Sequence, residues 1–192
     1  MSEDHFHVHG PHDHAVEHAA EHGAGDPFTG RIAVTTALLA TIGAIFAYQG
    51  GATQANATIF KNNAAIKKTE AADQWAFYQS KSGKQNLAEL GAVLTSGDKA
   101  EKFAGEAERY KKEKAEIEAG ARKLDAESKE WDERSEAQMH VHHRWAQATT
   151  ALQISIAMAA IALLTRRSWL QYLVYGVAAL GVVGGALALA HI

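Results

Sequence analysis

Imidazole is the most concentrated chemical resource of this chain. Seven of its 11 histidines, His5, His7, His9, His12, His14, His18 and His22, fall within the first 22 residues. Clustered neutral imidazoles ligate Zn, Ni, Co or Cu, and neighbouring carboxylates add ligand capacity. On a helix, His14, His18 and His22 would share a face, with Glu17 and Glu21 beside them. His14-Ala-Val-Glu17-His18 and His18-Ala-Ala-Glu21-His22 both fit the His-x-x-Glu-His pattern of inverted zinc peptidases. That fit arises twice by overlap in a low-complexity stretch, with no scaffold to exclude water or fix a third ligand. The expectation for residues 1–27 is a disordered tail, and two uses compete for it. One is capture of a divalent metal; the other is a tail whose histidines hold nothing.

A second cluster, His140, His142 and His143, comes after a long charged segment. Imidazole titrates near neutrality, so this cluster reads either as a juxtamembrane titratable group or as ordinary interfacial histidine. The chain has no cysteine, which removes disulfides, thiolate nucleophiles and thiolate metal sites. No nucleophile–base set and no phosphate-binding loop stands out, and no enzyme is expected.

Three apolar stretches, at 28–48, 146–165 and 170–192, must position whatever chemistry there is. Each is near the roughly 20 residues that a helix needs to cross a bilayer. The mean hydropathy of the whole chain is slightly negative, but that average hides a partition. Sixteen of the 19 Lys+Arg and 16 of the 22 Asp+Glu lie in residues 50–145. That segment is densely charged yet neutral in sum, which suits a solvated helical surface and not a nucleic-acid footprint. The N-terminus lacks the basic start and small-residue cleavage site of a secretory signal, so the first stretch is expected to stay as an anchor. Arg166-Arg167 should mark a turn at the membrane surface, with Trp169, Tyr172 and Tyr175 near the interface.

Inside the second stretch Gln153 and Ser155 are polar. An amide in hydrocarbon needs a partner, so Gln153 should meet another helix or line a wet pore. Gly43 and Ala47, and Gly181 and Gly185, are small residues four apart. Such spacing lets backbones approach closely, and the latter pair is a candidate for packing between copies.

The charged segment reads as a helical hairpin turning near 95–98, where Gly97 stops one helix and Asp98 with Glu101 starts the next. In the returning arm Phe103, Tyr110, Ile117, Leu124 and Trp131 recur every seven residues, and Trp145 resumes the series after Gln138. Ala107 and Ala121 follow members of that series by four residues, the spacing of a narrow coiled-coil seam. In the outgoing arm Ile59, Ile66, Leu87 and Leu94 share a register that Asp73 and Ser80 interrupt. Folding back at Gly97 is expected to set Leu90 opposite Phe103 and Ala52 near Trp145, with Gly50-Gly51 as a hinge.

Asp73-Gln74-Trp75-Ala76-Phe77-Tyr78-Gln79-Ser80-Lys81-Ser82 concentrates aromatic and polar side chains. Asp73, Trp75, Tyr78 and Lys81 read as a packing motif in preference to a ligand site. A Gly-Gly pair after a first apolar helix, followed by Asp-Gln-Trp-Ala-x-Tyr-Gln-x-Lys-Ser, resembles the bacterial family catalogued as domain of unknown function 4337. The likeness covers about residue 31 to residue 192. It implies a bacterial membrane protein and carries over no catalytic residue.

The fold class expected is an all-α membrane protein of three transmembrane helices, with a long antiparallel coiled-coil hairpin between the first and second. Its segments are a tail at 1–27, spans at 28–49, 146–165 and 169–192, and the hairpin at 50–145. The expected partners are a lipid bilayer, further copies of the chain, and a protein met through the hairpin; nucleic acid is excluded. The resemblance implies a multi-pass protein of the bacterial inner membrane, and Arg31 and the basic turn favour a cytoplasmic N-terminus with the hairpin periplasmic or extracellular.

Overall fold

The computed structural model describes residues 26–190, and every element among them is helical. Helix α1 runs Pro27–Leu94, α2 runs Asp98–Thr165, and α3 runs Ser168–Leu189. Asp26 caps α1: its carboxylate accepts from the Phe28 amide at 3.0 Å and from the Thr29 hydroxyl at 3.2 Å. Pro27 takes the first helical position, where its missing N–H costs nothing. The described residues divide into two compact units, 26–54 with 139–190 and 55–138.

In the first unit α3 packs with the first part of α1 and the last part of α2. Ile32, Leu39, Leu152, Ala159, Ala162, Val174 and Ala178 form its core. The outward faces are also apolar: Val34, Leu38, Ile45, Ile161, Leu164 and Leu180 are all more than half exposed. Each of the three helices contains a stretch long and apolar enough to cross a membrane. The α2–α3 turn is tight. Arg166 takes a left-handed conformation (φ 54) and Arg167 an extended one.

Gly50-Gly51 is not a hinge, because α1 continues through both residues. Gly50 is instead buried, and a Cβ built there would lie 3.4 Å from the Trp145 Cβ. The glycine lets α2 approach closely, and it is Gly50 and Phe46 that meet Trp145, two to six residues before the expected Ala52.

The second unit is an antiparallel helix pair with a seam of small residues. Ala57, Ala64 and Ala71 of α1 are buried at seven-residue intervals, as are Ala121, Ser128 and Ser135 of α2. The contact is close enough for serine to reach across to backbone. Ser128 Oγ donates to the Ala64 carbonyl at 2.9 Å, and Ser135 Oγ to the Ala57 carbonyl at 2.8 Å. The bulky series of α2 flanks this seam half-buried, with Trp131 against Phe60 at 5.5 Å between ring centroids.

The outgoing arm departs from expectation. Ile59, Ile66, Leu87 and Leu94 are 54–72% exposed and form no part of the seam. Alanine displaces them because a backbone-to-backbone approach admits only small side chains. The turn falls at Thr95-Ser96-Gly97, with Gly97 at φ 61, a conformation that glycine adopts without strain. Phe103 packs over Gly91, not Leu90: a Cβ on Gly91 would come within 2.9 Å of its ring.

Candidate functional site

The N-terminal imidazoles His5, His7, His9, His12, His14, His18 and His22 lie outside the described residues, and so does His191. Among the described residues no group of three or more His, Asp or Glu is placed to hold a metal ion. In the second histidine cluster the His142 and His143 rings lie 5.7 Å apart between centroids, but the three imidazoles do not converge on one point. His140 and His143 are exposed, whereas His142 is half-buried with Nδ1 2.8 Å from the Gly50 carbonyl. A carbonyl only accepts, so this contact puts the proton on Nδ1. His142 therefore ties α2 to α1 within the first unit.

The two polar residues of the second apolar stretch have opposite fates. Ser155 is fully buried and donates to the Val174 carbonyl of α3 at 2.8 Å. Gln153, two residues earlier, is exposed, and its amide has no hydrogen-bond partner among the described residues. The difference is one of helical face. Ser155 points into the α3 contact, and Gln153 points away from the chain's own core.

Gly181 and Gly185, the candidates for packing between copies, are used inside the chain. A Cβ on Gly181 would sit 2.9 Å from Leu152 Cδ2 and 3.2 Å from the Ala148 carbonyl. One on Gly185 would sit 2.2 Å from two atoms of the Phe46 ring. Both are buried, so these surfaces are already occupied.

The aromatic motif is an interhelical clamp in the second unit. Trp75 Nε1 donates to Asp125 Oδ2 at 2.9 Å, and the Trp75 and Tyr78 rings meet edge-on at 5.6 Å. Lys81 donates to Glu113 at 2.5 Å while lying over the Phe77 and Tyr110 rings. Lys114 sits 4.9 Å over Tyr78. Asp73, by contrast, faces solvent. Spacing alone had suggested the packing role of Trp75, but its partner Asp125 lies 50 residues away and had no local signal.

These contacts shift the carboxylates. The hydrogen bond from Lys68, followed by that from Trp75, holds Asp125 below its ordinary range, and Lys81 does the same for Glu113. A carboxyl with a lowered folded-state pKa adds stability that is complete above the unfolded value. That stability is lost as pH falls through the folded value. Amide hydrogen-exchange protection across residues 55–138 should therefore weaken on acidification from about pH 5 downwards. Asp125→Asn should make that decline shallower. An unchanged pH slope in the variant would show that Asp125 contributes nothing to it.

Three helices long and apolar enough to cross a membrane, two of them extended by a charged antiparallel pair, define an all-helical protein of membrane-compatible build. The chain belongs to the family described as Domain of unknown function (DUF4337), whose model matches residues 28–191. No curated protein and no solved structure matches the chain.

Proposed function

We propose that this chain is a multi-pass protein of the bacterial inner membrane that acts as a homo-oligomeric scaffold, its charged helix pair presenting a surface to a protein partner. The observation that carries the self-association is Gln153. Its amide is exposed on a helix whose neighbouring surface is apolar, including Ile154 and Ile161. In hydrocarbon such a group gains roughly 0.6–2 kcal/mol by finding an interhelical partner, and another copy supplies one. The α2–α3 turn supports the membrane reading. The left-handed conformation at Arg166 disfavours any residue with a Cβ, yet an arginine stands there beside a second one. The charge suits a turn at the anionic, cytoplasmic surface, and this supports an N-terminus on that side with the helix pair on the other.

A channel or transport-associated protein is the second reading, because the same exposed amide would line a polar interior if copies closed into a ring. One experiment separates the two. For the scaffold, purified chain in liposomes conducts no ions, and Gln153→Leu weakens self-association by roughly 3- to 30-fold. Selective flux that Gln153→Leu abolishes would replace the scaffold with the channel. Self-association unaltered by Gln153→Leu would remove the support for both.

A further inference from the structure

We propose that a second copy of this chain docks along the outer face of α1 in the 55–138 unit, the two α1 helices lying parallel and in register. From residue 59 to residue 94, eleven positions follow one another at alternating steps of three and four, and all eleven are exposed. That spacing is the pattern of a helix seam, sustained over about 53 Å. Ile59, Ile66, Leu87, Leu90 and Leu94 provide its bulk. Ala76, Ser80 and Gly83 keep its middle narrow, and Asp73 is its single charge. A solvated helix face in so charged a segment has no reason to exclude lysine, arginine and glutamate from all eleven positions.

Charge decides the occupant. The exposed face of α2 carries Glu108, Lys112, Arg122, Lys129 and Glu133, so it offers no apolar complement. The same stripe on another copy does, and a two-fold contact requires a surface that fits itself. Five bulky anchors on a thin line make a contact weaker than an interface of standard size. Copies held in one bilayer meet at high effective concentration, which lets a weak contact suffice. The inference thus rests on the membrane and self-association reading above, and adds the surface to it. Shared insertion also sets direction: chains threaded the same way bring their α1 helices together parallel. Asp73 then confronts the partner's Asp73, so this position opposes the pairing while the rest of the stripe favours it.

Because the native chain has no cysteine, the pairing can be read by single-cysteine cross-linking of the full chain in liposomes. Ile66→Cys and Leu87→Cys should each give disulfide-linked dimers on mild oxidation, since in-register pairing brings their Cα atoms within the roughly 7 Å that a disulfide spans. Glu108→Cys and Ala126→Cys, on the exposed face of α2, should not. Asp73→Asn in the Ile66→Cys background should raise the dimer fraction. Equal cross-linking at all four positions would mean random collision and overturn the proposal. An antiparallel pair would link neither Ile66→Cys nor Leu87→Cys to itself, and would overturn the parallel geometry. An adduct of another mass in native membranes would assign the face to a different protein and overturn the pairing. If the stripe cysteines stay unlinked while mass measurement of the uncrosslinked chain shows an oligomer, this surface is wrong and self-association stands. A monomer by mass removes both.

Discussion

Gly185→Leu is expected to disrupt the packing of α3 in the first unit and to lower the melting temperature of the purified protein. Even a methyl group at this position would come within 2.2 Å of the Phe46 ring. That ring cannot swing aside freely, because it leans on Trp145 at 5.1 Å between centroids, and Trp145 is itself buried. Extra carbon in a well-packed site costs about 1–3 kcal/mol, and leucine should reach or exceed the upper end. Gly181→Ala should show a smaller loss, since Leu152 Cδ2 and the Ala148 carbonyl close that site from two directions. The control is Val183→Leu, at an outward position of the same helix that is 57% exposed. If Gly185→Leu melts with the parent, the close contact of Phe46 with α3 is not part of the folded protein. Trp145 emission offers a second readout, because a displaced Phe46 alters its surroundings.

The double variant Ala64→Leu/Ala71→Leu should open the helix pair of the second unit. Ala71 is fully buried, and the Ala64 carbonyl accepts the hydroxyl of Ser128 across the seam. Two isobutyl groups on this seam must push α2 away and break the serine–carbonyl bonds to Ala64 and Ala57. At about 1–3 kcal/mol per site, independent effects would sum to roughly 2–6 kcal/mol. Hydrogen exchange at the amides of residues 55–138 should then quicken by at least about tenfold for each 1.4 kcal/mol. Ala65→Leu/Ala72→Leu, one residue along and exposed, should leave the exchange unchanged. Equal exchange in the two variants would contradict a seam built on Ala64 and Ala71.

Much of this architecture was legible in the residues, and for a physical reason. The returning arm announces its seam through Phe103, Tyr110, Ile117, Leu124 and Trp131, because bulky side chains on a charged helix have few reasons to recur every seven residues. The turn at 95–97 was legible because Gly97 and the acidic start of α2 are local signals. The outgoing arm misled because its buried residues are alanines, and an alanine in an Ala-rich helix carries no contrast. Ile59, Ile66, Leu87 and Leu94 did carry contrast, and they mark the opposite face. Gly50-Gly51 was read as flexibility, whereas at Gly50 the contact with Trp145 calls for small size. Gly181 and Gly185 were recognised as close-packing residues, but spacing alone does not say whose backbone approaches. The split between buried Ser155 and exposed Gln153 depends on where α3 docks, and nothing within either residue's own turn reveals that.

The serine–carbonyl bonds of the helix pair have a peculiarity as a measuring device. Ser135 bonds Ala57 and Ser128 bonds Ala64, each a heptad from the next. Sliding one helix by seven residues would set Ser135 against Ala64 and Ser128 against Ala71, again small residues with an available carbonyl lone pair. The repeat is a ruler without numerals. Its zero is supplied by features that occur once: the Phe103 ring over Gly91, the Trp75–Asp125 bond, and a turn of three residues with Gly97 at its bend.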